Sequence, residues 1–203
     1  MMTGVSTETA VMLAAIAGYL LGSIPFGLLL TMAAGLGDVR KIGSGSIGAT
    51  NVLRTGRKGL AALTLLLDAA KGAAAVLLCG ALAGVPGIFF GGIASLIGHC
   101  YPVWLKFKGG KGVATALGIM LMADWRVAVA AGGVWLAVAV VVRISSAAAL
   151  AAAVAAPLLV WLFASPQPVL GLVLAAVALV LLRHKDNIAR LLAGTEPRIG
   201  TKK

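Results

Sequence analysis

Charge is scarce in this sequence. Asp, Glu, Lys and Arg together make up 11% of its 203 residues, against 61% hydrophobic ones, and the mean hydropathy is +1.05. Such a composition excludes a soluble globule and points to a polytopic membrane protein. Cysteine is nearly absent. Cys79 and Cys100 both sit in apolar stretches, form no CxxC pair and have no evident metal partner, so they read as small buried hydrophobes and no metal site is expected. A GxSxG nucleophile elbow is missing, as is a Cys/His pair among the polar loops, so nothing points to a covalent acyl-enzyme. The first ten residues, MMTGVSTETA, lack a basic n-region, and the apolar run after them is too long for a secretory leader; it reads as a retained first helix.

What is present is a series of long apolar runs. A helix needs about 20 apolar residues to cross a hydrocarbon layer of roughly 30 Å. Runs that qualify or nearly qualify occupy 9–33, 60–84, 86–105, 112–123, 127–142, 147–164 and 168–182, the fourth being short. The expectation is an all-α protein: a single membrane domain over 1–203 with seven transmembrane helices. The net charge of +11 does not mark a nucleic-acid binder, because its distribution follows the loops. With the N-terminus outside, every Lys and Arg except Lys71 and Arg126 falls on the cytoplasmic side. That bias predicts N-out, C-in.

Three polar stretches then share the cytoplasmic face: RKIGSGSIGATNVLRTGRKG (40–59), GHCYPVWLKFKGGKGVAT (98–115) and RHKDNIARLLAGTEPRIG (183–200). Setting topology requires basic residues but not interleaved glycines, which free backbone N–H groups to turn toward an anion. Arg57, Lys58, Lys202 and Lys203 read as topology and headgroup charges, whereas Arg54 and Lys111 read as ligand cations. The segment around Lys111 is not a nucleotide loop. A Walker A pattern would need glycine where Leu105 stands and Ser or Thr where Gly112 stands. A helix starting near Val113, with Thr115 in its first turn, would instead offer unpaired N–H groups to a phosphate.

Asp68 and Lys71, three apart inside the second run, read as a neutralised intrahelical pair. His99 has no carboxylate near it in sequence and reads as a helix-end polar residue. His184 and Asn187 would share a face if the last helix continues, either as a pair on one substrate group or with the histidine reaching for water.

Five motifs in order, GSIPFG (22–27), GSGSIGATNVLR (43–54), DAAKG (68–72), GHCYPVWLKFKGGKGVAT (98–115) and RHKDNIARLLAGTE (183–196), resemble the bacterial acyl-phosphate:glycerol-3-phosphate acyltransferase family over essentially the whole chain. The resemblance implies transfer of a fatty acyl group from acyl phosphate to glycerol 3-phosphate at a cytoplasm-facing site in the inner membrane, giving lysophosphatidic acid and inorganic phosphate. It implies a monomer with no cofactor, no acyl-carrier protein and no coenzyme A. It assigns phosphate binding to Ser44, Gly48, Thr50, Asn51 and Arg54, with Lys111 as the principal cation beside Lys108, Gly109, Gly110 and Gly112. It assigns the reacting groups to His184 and Asn187, support to Glu196, Asp68 and Lys71, and glycerol phosphate contact to Arg143 and Ser145. One position departs from the family pattern: Ser46 stands where the first motif usually carries asparagine. The competing reading is a transporter of a phosphorylated anion or lipid, against which stands the clustering of polar residues at one face rather than at the midplane.

Overall fold

The computed structural model describes residues 6–200, and among them the chain forms only helices and turns. Helix α1 (Thr7–Gly22) is capped by the Ser6 hydroxyl, which accepts from Thr9 N–H. The expected first run of 9–33 is broken in two. Pro25 disfavours helical geometry at Ile24, and α2 (Phe26–Ala33) starts afresh beyond it. After a single 3-10 turn at Val39–Lys41 and the short α3 (Ala49–Leu53), α4 runs from Lys58 to Cys100.

At 43 residues, α4 would be about 65 Å long if straight, twice the hydrocarbon thickness. It is not straight. Ala83 and Gly84 leave helical geometry, Gly84 at φ 62°, and Pro86 falls in the first turn of the second arm, where a missing N–H is tolerated. The two arms, 58–82 and 85–100, fold back on each other: Gly91 meets the Cys79 side chain and Gly92 meets Val76. The second and third apolar runs are therefore a hairpin, and the later one ends at Cys100 rather than 105, leaving 101–112 as a polar loop containing a 3-10 turn at Val103–Leu105.

Helices α5 (Val113–Ala123), α6 (Trp125–Val142), α7 (Ser145–Leu162), α8 (Gln167–Arg183) and α9 (Lys185–Leu192) complete the chain. Helix α5, at about 16 Å for its 11 residues, covers by itself only about half of the hydrocarbon layer. By length and composition four helices can cross a membrane, or five if α8 and α9, bent by 60°, count as one. Lys202 and Lys203 lie outside the described residues.

Small residues hold the bundle together, as expected where lipid supplies no hydrophobic drive between helices. A Cβ on Gly18 or Gly22 would run into the backbone of Gly91 or Ser95, and one on Gly72 or Gly118 into the carbonyls of Thr115 or Ala69. The core that α5 threads contains Leu96, Ile119, Val127, Ala156, Leu172 and Val173. The outer surface is apolar, with Val141 81% and Trp161 75% exposed, the inside-out pattern of a protein that meets acyl chains.

Candidate functional site

The three polar stretches converge at one end of the bundle. In the first, Asn51 is the organiser. Its Nδ2 donates to the carbonyls of Val39 (2.8 Å), Ile42 (3.2 Å) and Ser46 (2.8 Å), while its Oδ1 accepts from Ser44 N–H (3.1 Å) and Arg54 Nη1 (3.0 Å). The side chain is 1% exposed. It folds the loop and aims Arg54, and retains no spare donor for a phosphate. Gly43, at φ 54°, passes so close that a Cβ there would sit 2.6 Å from Arg54 Nη1. Ser46, the departure from the family pattern, accepts from Gly48 N–H at 3.3 Å through its hydroxyl and so tightens the start of α3.

Thr50 and Ser145 share a hydrogen bond of 3.0 Å, joining this loop to the first turn of α7. Arg143, expected to touch a ligand, is the left-handed residue that ends α6, and its Nη2 donates to Ile199 O at 3.3 Å while its carbonyl accepts from Ile199 N–H at 2.6 Å. It fastens the C-terminal tail across the turn between α6 and α7.

In the second stretch two of the glycine N–H groups are not free to cradle an anion, while those of the first turn of α5 precede its first backbone bond, Ala116 N–H to Gly112 O. Gly109 N–H donates to Cys100 O (3.2 Å) and Gly110 N–H to His99 O (3.0 Å), so both are spent on the loop itself. The glycines serve close approach instead: a Cβ on Gly110 would overlap the His99 ring. Gly112, at φ 83°, caps α5 in a conformation that favours glycine, and the helix begins at Val113 with Thr115 in its first turn, as the sequence predicts. Lys108 is exposed and Lys111 is half-buried. Burial is the main influence on the Lys111 amine and lowers it to about 8; Glu196 opposes the shift, while Arg190, Arg54 and Arg183 reinforce it. Of these, Arg183 is tied to the loop directly, through the carbonyl of Gly110 beside Lys111.

In the third stretch the helix does not continue. The chain turns at His184, so Asn187 lies on α9 rather than on an extension of α8. Both side chains are buried. His184 Nδ1 sits 2.8 Å from Val180 O, and since a carbonyl only accepts, Nδ1 carries the proton and Nε2 keeps its lone pair. Glu196 ties the motif together: its Oε1 accepts from Ser146 Oγ (2.7 Å) and Asn187 Nδ2 (2.5 Å), its Oε2 from Arg190 Nε (2.6 Å). Burial would raise this carboxyl, but the three donors outweigh it and keep it below the usual range.

Three contributors escaped sequence reasoning. Arg183 donates from Nε to Gly110 O (3.1 Å) and stacks 4.8 Å over the Tyr101 ring. Arg190 and Ser146 are the other partners of Glu196. A positive-inside argument treats such residues as interchangeable charges, so only their spacing from His184 and Ser145 could have singled them out. Asp68 and Lys71 are paired at 2.7 Å, as expected, but they are not self-contained. Lys71 Nζ also donates to Ile24 O (2.7 Å), and His99 Nδ1 lies 3.6 Å from Asp68 Oδ1. The histidine without a carboxylate nearby in sequence has one in space, supplied by the other arm of the α4 hairpin.

Apolar helices whose outer faces suit lipid, with the polar loops joined to one another at one end, define an integral membrane protein. The chain belongs to the glycerol-3-phosphate acyltransferase family, whose model matches residues 12–194. The glycerol-3-phosphate acyltransferase of Caulobacter vibrioides (strain NA1000 / CB15N) is 58% identical over 193 residues, 94% of this chain and 88% of that one. That of Mesorhizobium japonicum is 58% identical over 190 residues, 94% of this chain and 96% of that one. Among solved structures, PlsY (YgiH), an integral membrane glycerol 3-phosphate acyltransferase in its glycerol 3-phosphate form, matches with a TM-score of 0.87 at 40% identity, covering 94% of this chain and 96% of that chain. Its lysophosphatidic acid form gives a TM-score of 0.85 at 39% identity.

Proposed function

We propose that this protein acylates glycerol 3-phosphate with acyl phosphate as donor, releasing lysophosphatidic acid and inorganic phosphate, at the cytoplasmic side of the inner membrane. The observation that carries this reading is the gathering of the three polar stretches at one end of the bundle: Arg183 Nε holds the carbonyl of Gly110, next to the half-buried Lys111, Thr50 meets Ser145, and Glu196 holds Asn187 and Arg190. Two phosphate groups must approach each other in this reaction, and concentrated positive charge offsets their repulsion where water is partly excluded.

Acyl phosphate is a mixed anhydride, so its carbonyl needs no activation by a protein nucleophile. The glycerol 3-phosphate hydroxyl oxygen attacks the carbonyl carbon, the bond from that carbon to the phosphate oxygen breaks, and phosphate leaves with the electron pair. The hydroxyl proton passes to a base, either His184 Nε2 or a substrate phosphate. Lys111 and Arg54 hold the phosphates, Thr50 and Ser145 line the glycerol side, and Asn187 lies one helical turn from His184. The acyl chain lies along lipid-facing helices, so neither a soluble carrier nor coenzyme A is required, and the protein acts as a monomer without a cofactor. Seven apolar legs, counting α1 with α2, both arms of α4, and α5 to α8, give seven crossings with the N-terminus outside, the short α5 completing its crossing by starting below the membrane surface where the polar loop before it lines a cavity.

Purified protein in detergent, supplied with acyl phosphate and glycerol 3-phosphate, should release phosphate and lysophosphatidic acid in equal amounts, and acyl-coenzyme A should not replace the donor. Absence of both products, with labelled substrate moving into liposomes, would identify a transporter instead. In the same assay, retention of turnover by His184→Ala would assign the proton to the substrate phosphate.

A further inference from the structure

Beneath the glycine loop lies a chain of buried polar groups that the proposed reaction does not use. Lys71, Asp68 and His99 are each at most 3% exposed. Lys71 Nζ reaches Ile24 O in the break between α1 and α2 (2.7 Å) and Asp68 Oδ1 on its own arm (2.7 Å); Asp68 Oδ1 faces His99 Nδ1 on the other arm at 3.6 Å. His99 Nδ1 is buried without a hydrogen bond. The other edge of the ring abuts the Gly110 backbone so closely that no side chain fits between them, and His99 O accepts from Gly110 N–H at 3.0 Å. From the opposite side Arg183 Nε holds Gly110 O at 3.1 Å. Gly110 is the residue before Lys111.

Charged groups in the membrane interior are costly, and a well-packed apolar trio would often be more stable than a buried ion pair. A device that fixes geometry accounts for their presence. The break at Pro25 sets Ile24 O, that carbonyl holds Lys71, Lys71 holds Asp68, and Asp68 faces the Nδ1 edge of the ring whose opposite edge seats the loop.

We propose that His99 and Asp68 are positioning residues for Lys111: the imidazole is the seat that sets the height and direction of the Gly110–Lys111 backbone, and the Asp68–Lys71 pair holds that imidazole in place. The inference rests on Lys111 being the phosphate-binding cation of the proposed reaction. Its mark is specific, because Lys111 is half-buried and follows directly on the Gly110 that His99 and Arg183 hold from two sides, and its amine feels the charges of Glu196, Arg190, Arg54 and Arg183. Loosening the seat lets the amine rise into water.

The test compares wild type, His99→Gln, Asp68→Asn and Lys111→Ala in detergent, measuring kcat and KM with acyl phosphate and glycerol 3-phosphate from pH 6 to 10, together with the thermal midpoint. His99→Gln should lower kcat/KM at least tenfold and move the alkaline limb of its pH profile upward from about 8, because a lysine returned to water keeps its proton longer. A fall in kcat/KM with the limb unmoved would make His99 merely structural and overturn the proposal. So would wild-type kinetics in His99→Gln and Asp68→Asn while Lys111→Ala is impaired, an outcome that leaves the proposed function standing. Wild-type kinetics in Lys111→Ala would instead overturn that function. Should His99→Gln not purify as a single species, Asp68→Asn, which keeps the side-chain shape, is judged by the same two readouts.

Discussion

Lys111 illustrates how a single side chain acquires chemistry from its neighbours. An exposed lysine keeps its proton to about pH 10.4, but burial brings this one to about 8. Below that pH the amine is cationic and, in the proposed reaction, would hold phosphate; as the pH rises through it the charge is lost, so kcat/KM should fall on the alkaline side with a midpoint near 8. Lys111→Arg, whose guanidinium stays charged, should abolish that limb while retaining part of the activity, read from an initial-rate pH profile. The sequence pointed to Lys111 through its glycine setting. It could not separate residues that contact a ligand from residues that aim those contacts. Asn51 and Arg143 look like binders in a linear string, yet one spends its amide on three carbonyls and an arginine, and the other fastens Ile199. Those partners lie up to 56 residues away, beyond what spacing reports.

Among the helices, apolar length located the long ones and separated the two arms of α4, but it missed α3 and α9 and ran through the break at Ile24–Pro25. The breaks at Ile24–Pro25, Ala83–Gly84 and His184 are where function enters the fold. The first exposes a carbonyl to Lys71, the second lets one helix return to bring His99 to Asp68, and the third swings Asn187 toward Glu196. Hydropathy is blind to the first because apolar residues flank Pro25 on both sides, and it stops at the third, where the polar stretch 183–187 begins. Glycine positions inside helices are equally opaque until the neighbour is known. Gly118 faces the Ala69 carbonyl, so Gly118→Leu must drive α5 from the first arm of α4. Overpacking of this kind costs about 1–3 kcal/mol or more, and because α5 carries Lys111 at its start, both the thermal midpoint in detergent and activity should fall. Gly133 has open space around it, and Gly133→Ala should leave both unchanged.

For the molecule as a whole, the arrangement depends on one end of the bundle facing the cytoplasm. The seven proposed crossings would put Gly84 and Gln167 outside and Gly56 inside. In a background with Cys79 and Cys100 replaced by alanine, Gly84→Cys and Gln167→Cys should react with an impermeant maleimide on intact spheroplasts, whereas Gly56→Cys should react only after permeabilisation. The reverse pattern would invert the topology. The account stands on an assembled cationic site rather than a protein nucleophile, and turnover of Lys111→Ala with acyl phosphate and glycerol 3-phosphate at pH 7 is its sharpest probe. Loss of one such electrostatic contact costs about 10²- to 10³-fold in rate. The expected result is a fall of that order with the thermal midpoint unchanged or raised, since a half-buried charge has been removed; turnover within a few-fold of wild type would contradict it.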